Sequence, residues 1–310
     1  MKTPYLLHFD VPFTMVSAPP HAGFTQRLAA ASDVHYYTFD ATALAVQHLN
    51  LHPFYVELFE LSTSTPFSFG LELTGPQHFL FFMRQGQARF TTPEGFYLSY
   101  APEAHLSACY KPAGHYRVQL RPGQHVACCV TLDPHWLSYA TEKLPVFRFP
   151  AEAGPVFLPY VPLGPFLRQR LEEVLALRRN GHGRLDGFLR LKFAEILEHY
   201  SPRAEEKKRD IAYKVKDYLD HHFIGSHTGY ASLSTRFGEG ERQLRYRFEK
   251  EFGTSIHRFL THKRLQLAHR LITQEGQPIR DVYLPSGYQD ESTFRYAYRK
   301  FFSDIGKSDI

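Results

Sequence analysis

Apolar residues follow two different periods along the chain. From about residue 35 to 150 they come in short aromatic and β-branched runs: Val34–Phe39, Phe54–Leu61, Phe79–Met83, Ala88–Thr91, Gly95–Tyr100, Tyr116–Leu120 and His125–Leu132. Turn residues bound most of them, at Thr74-Gly-Pro, Gln85-Gly-Gln, Pro112-Ala-Gly and Arg121-Pro-Gly. Short strands spaced roughly ten residues apart predict a sandwich or barrel. After the proline-rich stretch from Pro155 to Pro165 the period changes. Leu167, Leu171, Val174 and Leu175 repeat at helical spacing, Asn180-Gly-His-Gly marks a turn, and Leu185, Phe188, Leu189, Phe193, Ile196, Leu197 and Tyr200 form a second stripe. The spacing predicts an αα-hairpin over 161–200, whose stripe serves either packing onto the β-region or dimerisation. Residues 201–209 are charged, contain Pro202, and read as a linker. From 210 to 310 the pattern is helical.

Composition narrows the class. Hydrophobic residues make up 43% and charged residues 22% of the 310, an ordinary globular balance. No run of eighteen apolar residues occurs, so no membrane partner is expected, and the N-terminus has no long apolar stretch of the kind a secretory leader needs. Three cysteines, two adjacent, make no disulfide framework, and a reduced, cytoplasmic protein is expected. The net charge of +5 is uneven: residues 1–200 hold 16 basic and 16 acidic side chains, whereas 201–310 hold 20 and 15. A basic excess confined to one region suggests a polyanion partner.

That region also holds a specific constellation. A helix-turn-helix needs a small residue where its helices cross, glycine at the turn, and apolar anchors on the second helix opposite a polar groove-facing side. Between Tyr230 and Gly253, Leu233 and Phe237 are the buried residues of the first helix, Ser234 is the small contact, and Gly238 marks the turn. Leu244 and Phe248 anchor the second helix at i, i+4, and Gly253 ends it. Arg242, Arg245 and Tyr246 are left facing outward, side chains suited to guanine edges, thymine methyls or phosphates. About fifty residues later Ile279, Val282 and Gly287-Tyr288 lead into a second such helix, with Asp290 as N-cap and Phe294 and Tyr298 as anchors. Its exposed face holds Glu291, Ser292, Arg295 and Tyr296. Lys250, Lys263, Arg299 and Lys300 are the expected phosphate contacts. Between the two lies an amphipathic helix with Ile256, Phe259, Leu260, Leu267, Ala268, Leu271 and Ile272 on one side.

The runs Leu244–Leu260, Arg264–Ile272 and Gly287–Phe294 closely resemble the AraC/XylS regulators, over about residues 210 to 302. The resemblance implies a helical domain with two helix-turn-helix units binding double-stranded DNA, an N-terminal domain answering to a small molecule, and often a dimer. It implies a structural role for Arg264 on the linking helix. Three features depart from the family pattern: Tyr283 where alanine is usual, Ser286 where an apolar residue is usual, and an ending without the usual Ser-Pro-x-x-Tyr-Arg. Pro285 also falls in the last turn of the helix expected before Gly287, where it lacks an N–H and crowds the Asp281 carbonyl. The first unit is therefore expected to carry most of the sequence specificity, and the second to be distorted or to contact mainly phosphates.

The chain is thus read as a two-domain α+β protein. It has a β-rich cupin-like barrel or sandwich over 1–160, an αα-hairpin over 161–200, and an all-α double helix-turn-helix domain over 210–310. Phe81, Phe82, Phe90, Tyr97 and Trp136 are expected to line an effector pocket, with an ordinary aromatic core as the other reading. Metal-binding barrels of this kind present His-x-His on one strand, and this chain has no such pair, so neither metal, cofactor nor catalysis is expected. Cys128 and Cys129 read as a buried strand pair rather than a redox switch. The expected function is sequence-specific transcription regulation under effector control, with RNA polymerase as a further partner. Control by a protein partner, and a cupin-type enzyme fused to a DNA-binding module, are the alternatives. The effector, the operator and the sign of regulation stay open.

Overall fold

The computed structural model describes residues 3–20, 23–147, 149, 154–178, 184–225 and 227–304. The turn expected at Asn180–Gly183 and the final residues from Ile305 lie outside them. The chain divides into two compact units, one of residues 1–90 and 101–207, the other of residues 91–100 and 208–310.

In chain order the strands are β1 (Leu6–His8), β2 (Thr14–Val16), β3 (Asp33–Thr38), β4 (Thr42–Leu51), β5 (Phe54–Thr63), β6 (Phe67–Leu73) and β7 (Gln77–Gln85). They continue as β8 (Ala88–Thr91), β9 (Tyr97–Ala101), β10 (His105–Lys111), β11 (Gly114–Leu120), β12 (Gly123–Leu132), β13 (Val156–Phe157) and β14 (Val161–Pro162). One sheet has the order β1-β6-β11-β8-β9, and the other runs β13-β10-β7-β12-β5-β4-β3-β2 with β14 on β10. The helices of the first unit are α1 (Pro134–Ala140), α2 (Pro165–Leu175) and α3 (Arg184–Lys208).

Strand alternation sorts the interior into two layers. On β7 the side chains of Leu80 and Phe82 join a core with α2 and α3, while Phe79, Phe81 and Met83 line a cavity on the opposite face. β12 does the same, with Val126, Cys128 and Val130 toward the helices and Ala127 and Cys129 toward the cavity. The adjacent cysteines are therefore both buried on opposite faces, and burial pushes the Cys128 thiol up to about 12.

The apolar stripe of the αα-hairpin is buried in this core: Leu167, Leu171, Val174, Leu189, Phe193, Ile196, Leu197 and Tyr200 all pack there. Tyr200 is fully buried and donates its hydroxyl to the Pro159 carbonyl at 2.7 Å. That burial corrects the dimerisation reading for this stripe; Leu191, 54% exposed, is the large apolar side chain that α3 leaves outside. Residues 201–208, expected as linker, are the last two turns of α3, which passes through Pro202. Proline there removes one N–H but leaves the following turns intact, and Ser201 and Ala204 are buried along the continuing face.

The second unit contains α4 (Ile211–His222), α5 (Tyr230–Phe237), α6 (Glu241–Phe252), α7 (Ile256–Thr273) and α8 (Glu291–Asp304). Among the described residues no helix is long and apolar enough to cross a membrane. Two small cores are strung along α7, an 18-residue helix about 27 Å long. The first joins Val215, Leu219, Leu233, Leu244, Phe248, Phe252, Ile256 and Phe259; the second joins Leu265, Ala268, Leu271, Val282 and Phe294. Each core also takes one aromatic residue from the β8–β9 turn, Tyr97 in the first and Phe96 in the second. The Tyr97 hydroxyl donates to the Phe252 carbonyl at 2.8 Å, and its backbone N–H donates to His262 Nδ1 at 3.1 Å. A side chain at Gly253 would meet the Tyr100 ring at 2.6 Å, so that glycine serves close packing as well as the left-handed φ of +60° that ends α6.

Candidate nucleic-acid interface and effector cavity

α5 and α6 form a helix-turn-helix in which a left-handed glycine ends each helix. Gly238, at φ 65°, caps α5 through its N–H to the Ser234 carbonyl, and Gly253 closes α6 through its N–H to Glu249. Leu233, Leu244 and Phe248 are fully buried, which turns the opposite side of α6 outward. Arg242, Arg245 and Tyr246 are all exposed there, Tyr246 at 58%. Among the described residues Arg242 has no hydrogen-bond or ion-pair partner. Arg245 rests its guanidinium on the Tyr230 ring at 4.6 Å, a contact that orders the side chain while leaving its N–H fork exposed. Lys250, one turn on, lies 5.9 Å from the Tyr246 ring.

The second helix-turn-helix, over residues 279–300, differs in both of its helical segments. Residues 279–287, where a helix is expected, form a series of turns. The Ser286 N–H reaches Val282 and the Tyr288 N–H reaches Tyr283, but Pro285 has no N–H to offer Asp281. Ser286 is fully buried with its Oγ unpartnered among the described residues, a cost of about 1–3 kcal/mol for a lost hydroxyl hydrogen bond. In α8 the anchors hold, since Phe294 is fully buried. Its outward face, however, is largely occupied with itself. Arg295 Nε donates to Glu291 at 2.6 Å, and Ser292 Oγ donates to Asp290 at 2.6 Å. Asp290 also accepts the Thr293 N–H as N-cap, and these bonds hold its carboxyl down to about 2. Tyr296, 64% exposed, stays open, as do Arg299 and Lys300.

Two cations of α7 are internal. Lys263 pairs with Asp220 at 2.6 Å, and Lys216 binds the other oxygen of the same carboxylate at 2.6 Å. Burial would raise the Asp220 pKa, but the two ammonium groups outweigh it and hold the carboxyl below its ordinary value. Lys263 is thus tied into the fold rather than free for phosphate, a correction to its expected role. Arg264 donates its Nε–H to the Phe223 carbonyl at 2.8 Å and reaches Gly225 and Thr228, bracing the loop after α4.

In the first unit a cavity of about 70 Å³ lies between the sheets. Phe81 and Phe90 line it; Phe82, Trp136 and Tyr97 do not. Phe82 points to the helix side because it is one residue out of phase on β7, and Trp136 lies on α1 with its ring 4.7 Å from Phe54 in the same core. Tyr97 belongs to the second unit. The polar residue that sequence reading missed is Lys111. It is 4% exposed, and its Nζ stands 4.6 Å from the Phe90 ring, 5.2 Å from Tyr116 and 5.6 Å from both Phe79 and Phe157. Alternation along β10 could have found it, since Ser107, Cys109 and Lys111 share one face. That strand was not among those expected from the sequence, so its alternation went unread. Among the described residues no acceptor or carboxylate is in bonding reach of its Nζ. Ring contacts stabilise a cation by about 0.5–2 kcal/mol. Bringing an ammonium in from water costs several kcal/mol, and its three N–H donors stay unfilled. Burial accordingly lowers the Lys111 pKa.

An exposed arginine-rich helix locked by glycine turns onto a second helix defines the helix-turn-helix class of DNA-binding domains. Residues 233–304 match the family model described as a helix-turn-helix domain. Over 108 residues the chain is 27% identical to an uncharacterized HTH-type transcriptional regulator of Staphylococcus aureus (strain COL), a stretch that is 33% of this chain and 14% of that one. It is 26% identical over 88 residues to "Probable transcriptional regulator LumQ" of Photobacterium leiognathi, covering 28% of this chain and 35% of that one. The match thus spans well under half the length of either relative. The crystal structure of apo ToxT K231A from Vibrio cholerae strain SCE256 aligns over 82% of this chain and 95% of that chain, with a TM-score of 0.37 and 11% identity. The C-terminal region of the chain is an AraC-type helix-turn-helix domain.

Proposed function

We propose that the protein is a sequence-specific transcription regulator that reads DNA chiefly through α6 and answers to a small molecule held in the first unit. The observation that carries this reading is the outward face of α6, where Arg242, Arg245 and Tyr246 stand exposed on a helix fixed by a buried far side. Arginines so placed suit guanine O6 and N7 in the major groove. Lys250, Arg299 and Lys300, all exposed, suit phosphates and supply the salt-dependent part of the affinity. In the second unit, Glu291 neutralises Arg295 and Asp290 engages Ser292, which leaves Tyr296 as the open side chain of its reading face. This favours one strong box and one weak box in the operator. The protein acts in the cytoplasm, without catalysis of its own, and contact with RNA polymerase and self-association belong to surfaces other than the buried stripe of α2 and α3.

The test is selection of binding sites from a random duplex pool by the purified full-length protein at two salt concentrations. One strongly enriched box, with a weaker one about a helical turn away, supports the reading. Salt-sensitive binding with no enriched sequence, in the presence and absence of added effector, overturns it.

A further inference from the structure

We propose that the cavity between the two sheets binds a small organic monocarboxylate, its carboxylate on Lys111 and its hydrocarbon end among Phe79, Phe81, Phe90 and Phe157. The proposal rests on the reading that the first unit holds an effector and names the chemistry of that effector.

Four features of the cavity select this class. The lining is apolar apart from a few groups, and most of those are already engaged. Ser107 donates to the Leu158 carbonyl at 2.7 Å, and His125 uses one ring nitrogen on the Arg121 carbonyl and the other on the Gln87 N–H. Lys111 remains as the charged group of the wall, with three donors and no protein acceptor among the described residues. A neutral hydrocarbon would fill the space but leave those donors unmet, and a cation would meet like charge. A sugar would find too few partners for its hydroxyls, and a phosphate monoester would bring a second charge with nothing to balance it. One negative charge on a short apolar tail meets the chemistry on both sides. The volume sets the tail: about 70 Å³ is the share of roughly two to three liquid waters, well below the roughly 150 Å³ that accepts benzene. The fit is to the shortest acids, of acetate size, rather than to longer chains or lipids. Tyr5 forms part of the cavity wall and also part of a groove lined by Phe9, Phe13 and Tyr37, so its side chain marks the side from which a ligand would enter.

The experiment is calorimetric titration of the full-length protein with acetate, butyrate, hexanoate and octanoate, each beside the alcohol and the amine of the same length. Lys111→Met, an unbranched apolar replacement of similar length, is titrated in parallel. The expected result is a carboxylate preference of about tenfold or more over the matched alcohol, greatest at acetate. In the variant the preference disappears while alcohol binding persists, which also shows that the cavity is still folded. Equal binding of acid and alcohol by the unaltered protein overturns the assignment, as does an acid preference that survives in Lys111→Met, or failure of the whole acid series to bind. A parallel DNA-binding titration separates the two readings. Lys111-dependent acetate binding that leaves DNA occupancy unchanged keeps the site and removes effector control. DNA occupancy that answers to another molecule while no acid binds does the reverse.

Discussion

The Phe96 ring lies nearly parallel to that of Phe301, 4.8 Å between centroids and 10° between planes. One residue along, Tyr97 sits edge-on to Phe259, 6.0 Å away. Two consecutive side chains of one turn thus enter the two cores of the helical unit, and both are buried. Truncating Phe96 to alanine should cost that unit about 3–5 kcal/mol. Trp136, the one tryptophan of the chain, belongs to the first unit and reports on it separately. In denaturant titrations of Phe96→Ala the far-ultraviolet dichroism transition should move to lower denaturant while the Trp136 fluorescence transition holds. An unmoved helical transition would show that Phe96 is peripheral to the helices.

Arg242 and Arg295 occupy corresponding places on the two reading helices but differ in partners. Arg242→Ala should lose about 1–3 kcal/mol at one base position and relax the preference there. Arg295→Ala should change base preference less, because Glu291 already holds its guanidinium. Binding-site selection with both variants decides the matter, and a larger change of preference for Arg295→Ala would reverse the assignment of the main reading helix.

Salt dependence distinguishes the lysines. Lys250→Ala should lower the slope of log affinity against log salt by about one, the loss of one phosphate contact. Lys263→Ala should leave the slope nearly unchanged, since its charge is spent on Asp220. Asp220→Asn should release Lys216 and Lys263 together and steepen the slope, at some loss of stability. Affinities measured across a salt series would show all three effects.

Acid should weaken the first unit through His48. Burial, with His35 nearby, lowers its pKa to about 4, and its Nδ1 lies 3.0 Å from a buried Glu57 that burial itself holds well above the ordinary carboxylate value. Between about pH 6.5 and 4 the unfolded chain binds a proton at His48 that the folded chain refuses, so the His48 contribution to stability falls as pH drops through this window, while the proton that Glu57 takes up on folding acts in the opposite direction. His48→Gln should flatten that decline. Urea midpoints followed by Trp136 fluorescence at several pH values would detect it, and parallel curves for both proteins would place the acid sensitivity elsewhere.

The helical unit was legible because its signals are local. Gly238, Gly253 and the spacing of Leu244 with Phe248 each act within one or two turns, and the structure realises each of them. Strands with aromatic alternation were equally plain. β4, β6 and β10 were not, for two reasons. β4 is buried on nearly all its length and so shows no alternation, while Gly70 in β6 and Ser107, Ala108 and Cys109 in β10 carry weak strand preference. The aromatic residues of the pocket were recognised as a set but not divided between faces, because Phe81 and Phe82 differ only in phase, and phase needs the register of the sheet. The charge on Arg295 was legible and its cancellation by Glu291 was not, although their i, i+4 spacing contains it.

The membership of Phe96 and Tyr97 in the helical unit makes that unit discontinuous along the gene. A recombination joint near residue 208, the natural place to exchange one first unit for another, would deliver five helices stripped of two aromatic plugs. Any foreign unit joined there would have to supply its own. The two halves of this protein are therefore constrained to change together, and a DNA-reading cassette borrowed from it should work only in hosts that carry an equivalent aromatic turn.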